Sequence, residues 1–361
     1  VAIVRDISER VAAEQSQRRT EMRFRSLAEL SSDSFWETDE QHRFTSLVHG
    51  SGFAPIFTPE AQMGIRRWEV SSLTPDAAGW AKLQATMDAH ERFSEFEFSR
   101  ADGRGAVFYR SISGEPLFDE AGAFTGYQGI ARDITARKRG EALQMLEHAI
   151  VRKLAEAETE SAAVQAAIRV VCEAEQWDCG RYFRVDEAAG ILRVADYWGV
   201  ESDVVAEYLG ASRTVTYLPG VGYAGRAWQS GRPMWSSDIT TDTLGSQPAL
   251  SAKYGIRGAF VFPVRADGVT LGVIGFNSRE VREPEPRLIE AIASIGAQIG
   301  QFLKRKRAEE AQRRFRAALD ASADMITLVD PQSMRYIDVN TTACEMQGYT
   351  REQMLAMGPQ D

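Results

Sequence analysis

Three cysteines, four histidines and one glycine triad are the residues whose chemistry and spacing first invite a functional reading. Cys172, Cys179 and Cys344 cannot all pair, and their spacing is not that of a metal site, so reduced thiols are expected. Gly220-x-Gly222-x-x-Gly225 matches a dinucleotide-binding fingerprint. It does not sit in a βαβ pattern with an acidic residue about 20 positions on, so tight turns capping a short helix are expected instead. His148 lies in Glu147-His148-Ala149-Ile150 and is expected on a helix surface. No phosphate-binding Gly-Lys-Ser/Thr loop, zinc motif or Ser nucleophile elbow is present, and no catalytic residue or metal site is expected.

The 361 residues suit two or three domains, and 44% apolar with 26% charged residues is ordinary globular composition. A net charge of −9 argues against a broad nucleic-acid footprint. No apolar run approaches the roughly 20 residues that span a bilayer.

The chain repeats itself. Val4–Arg10 (VRDISER) recurs 127 residues later as Ala131–Arg137 (ARDITAR), and Phe24–Asp39 recurs as Phe315–Asp330. The first repeat marks the end of one unit and the second its beginning. One complete copy is therefore expected over 24–137, with the tail of an earlier copy and its linker helix at 1–15 and the front of a later copy over 315–361. Asp133 and Thr135, matched by Asp6 and Ser8, stand before predicted helix starts, where N-capping oxygens are wanted. They are expected to couple each unit to its outgoing helix.

Within 24–137, short strands at Ser34–Thr38 and Arg43–Val48 flank an Asp-Glu-Gln turn, and Ala77–Asp88 reads as a helix. Three further strands follow at Phe93–Arg100, Val107–Leu117 and Phe124–Ile134. The order, the turn after Ala101 and the closing Gly126–Thr135 run resemble a PAS domain, a five-stranded antiparallel sheet with helices on one face. The fragment from Phe315 resembles the front of another. The resemblance implies a dimerisation module or a pocket for a small molecule, haem or flavin. A flavin adduct needs a cysteine, and 24–137 holds none. His90, the histidine nearest the usual haem-bearing helix, is expected in a solvated turn. Trp36, Trp68, Phe108 and Tyr109 are the pocket candidates here.

Over 142–303, helices at Leu143–Leu154 and Ser161–Ala174 precede strands at Cys179–Val185, Ile191–Tyr197, Met234–Ile239, Gly258–Val264 and Leu271–Phe276. The Pro219–Trp228 run, Trp235–Asp238 and Val273–Ser278 together resemble a GAF domain, whose pocket candidates are Trp198, Trp235 and Phe262. The cyclic-nucleotide signature of some members is not matched by Phe276-Asn277-Ser278-Arg279-Glu280, and neither Cys172 nor Cys179 has the neighbouring His of a bilin site.

Leu288, Ile292, Ile295, Ile299 and Phe302 alternate four and three apart, the spacing of a heptad seam, in a predicted helix Glu285–Arg307. A linker helix is expected at 304–314. The fold class expected is α+β, with PAS-like and GAF-like antiparallel sheets connected by long amphipathic, coiled-coil-like helices. The resemblance implies a homodimer, paired along that seam. It implies a cytoplasmic bacterial signalling protein that passes ligand or partner binding to an output domain, a diguanylate cyclase/phosphodiesterase or a histidine kinase. No cofactor is expected, with an unknown small ligand left open; the alternatives are a pure dimerisation scaffold and a haem- or flavin-bound sensor.

Overall fold

The computed structural model describes residues 33–53, 58–102 and 106–361. They fall into two units that divide between Ala142 and Leu143.

The first unit holds strands β1 (Ser34–Thr38), β2 (Phe44–His49), β3 (Phe93–Ala101), β4 (Val107–Phe118) and β5 (Phe124–Asp133). They form one antiparallel sheet in the order β2-β1-β5-β4-β3. Asp39 builds the β1–β2 turn, its Oδ1 accepting from the N–H groups of Gln41 and Arg43. Between β2 and β3 come a short helix α1 (Pro59–Gln62), a 3-10 turn (Arg67–Glu69) and α2 (Ala77–Asp88). Asp76 caps α2 by accepting from Gly79 N–H, and the helix buries Trp80, Leu83 and Met87 along one stripe. Trp36 lies across two glycines of neighbouring strands: a Cβ would come within 2.7 Å of the indole at Gly114 and 2.4 Å at Gly129. Only glycine leaves room there for the indole.

In the second unit α3 (Thr135–Glu156), which begins in the first, and α4 (Glu160–Glu175) lead into β6 (Cys179–Asp186) and β7 (Ile191–Gly199). Then follow α5 (Asp203–Ser212), β8 (Thr216–Tyr217), α6 (Gly222–Ser230), β9 (Met234–Ser236), α7 (Pro248–Lys253), β10 (Gly258–Ala266) and β11 (Val269–Ser278). The six strands form an antiparallel sheet, β8-β7-β6-β11-β10-β9. Strand alternation gives it two apolar faces. Tyr182, Phe260, Phe262, Val264, Ile274 and Phe276 face a layer of helices, whereas Phe183, Ala259, Val261 and Val273 face α5 and α6. The glycine triad makes the tight turns that its context, not its spacing, leads one to expect: Gly220 and Gly222 have φ of 78° and 63° at the start of α6, and a Cβ on Gly225 would sit 2.1 Å from the Leu218 carbonyl oxygen.

The last long helix, α8, runs unbroken from Pro286 to Asp320, so residues 304–314 continue it. Leu288, Ile292, Ile295, Ile299 and Phe302 are all buried, in one cluster with Phe260, Phe262 and Val264 of the sheet and Leu146, Ile150 and Leu154 of α3. The heptad stripe is therefore covered by the chain's own sheet and helices. Its spacing specifies an apolar stripe of a certain width, and says nothing about what covers it. Gly296 and Gly300 let the helix backbone lie on β10: Cβ atoms there would stand 2.6 Å from the Pro263 oxygen and 2.0 Å from the Arg265 oxygen.

Beyond α8, the hairpin of β12 (Thr327–Val329) and β13 (Tyr336–Val339) is followed by α9 (Thr341–Gln347) and α10 (Arg351–Leu355). This piece is bonded to the end of α8. Arg316 pairs with Asp338, Asp320 accepts from Thr341, and Asn340 donates to the Leu319 carbonyl.

Candidate functional site

Arginine keeps its charge when buried, a cost that an acid ordinarily offsets, and each of the two larger sheets buries at least one beside a cavity. In the first unit a cavity of about 40 Å³ opens on the inner, helix-covered face. Arg67, Arg100 and Arg110 line it together with Trp36, His49 and Phe98. Arg100, on β3, is 3% exposed; its Nη2 donates to the Arg67 carbonyl at 2.7 Å and its Nε meets no acceptor among the described residues. The Arg67 guanidinium lies 4.9 Å from the Trp36 ring and 4.7 Å from the Phe44 ring, with Nη2 likewise unmatched. Burial, and then the charge of Arg100, pull the Arg67 guanidinium down to about 9; burial alone pulls Arg100 to about 10. Both remain cationic at neutral pH. Burial and the neighbouring Arg110 lower His49, keeping its ring neutral, so it adds no charge. A larger groove of about 340 Å³ on the other side of the sheet, along Phe35, Val48 and Ile130, has only exposed charges at its margin.

Arg110 leads from this cavity to the outgoing helix. Its Nη1 is 2.7 Å from Asp133 Oδ2, and Asp133 Oδ1 accepts from the N–H of Thr135, the first residue of α3. The Thr135 hydroxyl turns back to the sheet, accepting from Tyr109 N–H at 2.9 Å. The expected pair of capping oxygens is thus divided: Asp133 holds the helix start and Thr135 ties it to β4. Asp6 and Ser8 lie outside the described residues.

The second cavity, of about 60 Å³, lies on the α5/α6 face of the six-stranded sheet and is lined by Arg181, Tyr208, Tyr217, Tyr223 and Asn277 among others. Arg181 is 6% exposed and donates from Nη2 to Tyr208 Oη and Asn277 Oδ1, both at 2.8 Å; its Nε is unmatched among the described residues. Its hydrogen-bond partners are therefore neutral. Tyr223 donates to Asp242, which also accepts from Leu244 N–H, and these bonds hold that carboxyl below the usual carboxylate range.

Of the aromatic candidates, Trp36 lines the first cavity. Trp68 packs against His42 with centroids 5.8 Å apart, Phe108 lies 5.5 Å from the Arg110 guanidinium, and Tyr109 supplies backbone bonds to Thr135 and Ile134; none of the three lines that cavity. Trp198, Trp235 and Phe262 belong to the helix-facing layer of the other sheet, the side away from its cavity. The buried arginines escape an aromatic search. A usable signal was nonetheless there: Phe96, Phe98 and Arg100 share one strand parity, as do Phe108, Arg110 and Ile112, so each arginine points where an apolar residue is expected.

A haem does not fit the described residues. His42 Nε2 is bonded to Asp88, His90 is exposed and stacked on Phe124 at 3.8 Å, and His49 faces a space far below the roughly 300 Å³ of ordinary cofactor sites. Cys172 and Cys179 are buried free thiols, and burial pushes Cys179 up to about 12 and Cys172 higher. In the native chain at about pH 8 only Cys344 should react with a chromogenic disulfide reagent, while all three react after denaturation. Native labelling of Cys179 as fast as Cys344 would show that the sheet's α5/α6 face opens.

Comparison with known proteins matches these units. A GAF domain model matches residues 157–304, and PAS domain models match 53–136 and 313–359. The chain is 25% identical over 248 residues, 66% of its length, to a methyl sulfide methyltransferase-associated sensor of Methanosarcina acetivorans; the match spans 24% of that protein. The GAF domain of a Coxiella burnetii phosphoenolpyruvate-protein phosphotransferase covers 47% of this chain and 98% of its own, at 16% identity and a TM-score of 0.41. The corresponding Acinetobacter domain covers 47% and 97%, at 11% identity and 0.40. The chain is a PAS–GAF–PAS sensory region. No catalytic domain is found in it, and among the described residues no helix is long and apolar enough to cross a membrane.

Proposed function

We propose that this PAS–GAF–PAS region is the receiving part of a larger cytoplasmic signalling protein, in which occupancy of its cavities shifts the long helices and so biases an output domain. The resemblance that names the region implies an output of the diguanylate cyclase/phosphodiesterase or histidine kinase kind. One observation carries the relay: α8 forms the GAF core with its first half and is bonded to the following PAS piece through Arg316, Leu319 and Asp320 at its end. A displacement of the sheet's helix layer has no slack to be lost in, because Gly296 and Gly300 seat the helix on the backbone of β10. At its start α3 works similarly, fastened to Arg110 through Asp133 and packed through Leu146, Ile150 and Leu154 into the GAF core.

The test disturbs the GAF cavity and reads the far end of α8. Arg181→Met removes the bonds to Tyr208 and Asn277 and fills comparable volume. Amide exchange over residues 304–320 should change about threefold or more, with the sheet still protected. Unchanged exchange there in a folded variant defeats the relay. The small volume of both cavities favours, as a second reading, a scaffold that dimerises and binds nothing. Mass spectrometry of the native and denatured chain separates the two readings, because the scaffold carries no released small molecule and its cavities stay silent to added ones.

A further inference from the structure

We propose that the cavity of the first PAS domain is a binding site for a small organic carboxylate, held by Arg67 and Arg100. This deepens the sensory reading by naming what the domain receives. The argument starts from charge. Three guanidinium groups line one cavity; Arg110 is paired with Asp133, whereas Arg67 and Arg100 are in no ion pair with a carboxylate among the described residues. Two buried positive charges against aromatic walls repel one another, and their cost is relieved by an anion placed between them. The aromatic faces of Trp36, Phe44 and Phe98 soften the penalty through cation–π contact without cancelling the charge.

Hydrogen bonding points the same way. Arg67 Nη2, Arg100 Nε, Trp36 Nε1 and His49 Nε2 are four buried polar atoms without a partner among the described residues, and all four belong to residues lining this cavity. Native proteins rarely leave one such group unmatched, and a cluster of them marks a place where an acceptor belongs. Planar guanidinium edges match the two oxygens of a carboxylate. Size and walls then select among anions. About 40 Å³ is room for a few water-sized groups, since one water needs roughly 10–15 Å³. Trp36, Leu47, Phe53, Phe98 and Ala131 outnumber Ser34 and Gln62 in the rest of the lining, so a short apolar body is accommodated. A phosphate would press oxygens that need hydrogen bonds onto those walls.

The experiment titrates the whole chain, in a buffer free of carboxylate and phosphate, with propionate, succinate, propionamide and inorganic phosphate, by calorimetry and thermal melting. At least one of the two carboxylates should bind and raise the melting of the first unit by a few degrees, whereas propionamide, of the same shape without charge, should not. Arg100→Met and Arg67→Met should each weaken that binding about tenfold or more. The unliganded Arg100→Met variant should melt no lower than the wild type, because the substitution removes a buried charge that lacks an acid. That last result separates a ligand-binding arginine from a structural one. Binding of propionamide equal to propionate, response to phosphate alone, response to none of the probes, or an Arg100→Met chain that melts far lower yet binds normally would each overturn the assignment. Carboxylate binding that leaves amide exchange over 304–320 unchanged keeps the site and removes its part in the relay.

Discussion

An Ile295→Asp chain should lose the folded GAF unit, at any protein concentration. Ile295 is fully buried in an apolar cluster with the sheet and helices of its own chain, so a carboxylate there would lose its solvation. Placing a charge in such a site costs several kcal/mol, about the whole stability of an ordinary domain. The milder Ile292→Ala and Ile295→Ala variants should each cost about 2–5 kcal/mol, since each removes buried methylenes and leaves a cavity. Differential scanning calorimetry should show the second unit melting early or not at all, while the first unit's transition stays in place. A coiled-coil seam between two chains predicts otherwise: a folded Ile295→Asp protein whose mass halves in light scattering. That outcome would mean the stripe is free of the sheet in solution.

Asp133→Ala should destabilise the first unit by about 3 kcal/mol, more than the loss of a helix cap alone. A cap contributes typically about 1 kcal/mol. Asp133, however, also faces Arg110, which is 3% exposed and shares its cavity with two further guanidinium groups. Removing the acid of a buried pair costs about 3–5 kcal/mol, and the partial exposure of Asp133 places the effect at the low end. Arg110→Met combined with Asp133→Ala should restore most of the loss, leaving only the capping part. Thr135→Ala alone should cost about 1 kcal/mol, because it gives up bonds to the Tyr109 backbone and involves no charge. Urea unfolding of the three variants decides it. If Asp133→Ala costs no more than Thr135→Ala, Arg110 does not depend on Asp133.

The contrast between these two sites shows what was legible in advance. The two internal repeats suggested a unit over 24–137 and the front of another from Phe315. Period-2 and period-3.6 patterns placed the strands and helices within a few residues, Ala77–Asp88 without any shift and the last helix some thirteen residues short of its end at Asp320. These features are local: turn chemistry, strand alternation and the apolar stripe of a helix are written in neighbouring residues. The runs Gly126–Thr135 and Pro219–Trp228 are local too, and the sensory reading rests on their resemblance to PAS and GAF domains.

What covers each face was decided only by the tertiary structure. The same stripe from Leu288 to Phe302 satisfies a second helix or a sheet, and the choice depends on Phe260, Phe262 and Val264 arriving from elsewhere in the chain with Gly296 and Gly300 cleared for contact. Likewise, Phe262 and Val261 are equally apolar neighbours, yet one faces the helices and the other the cavity side, because β10 is buried on both faces and alternation has no polar side to mark it. Arginine reads as surface in a sequence, since its charge is costly to bury and nothing local says otherwise. Only the assembled fold brings Arg67, from a 3-10 turn, and Arg100 and Arg110, from two strands, onto one cavity, where among the described residues Arg67 and Arg100 are in no ion pair with a carboxylate. That imbalance is a property of assembled distances, and no stretch of the chain contains it.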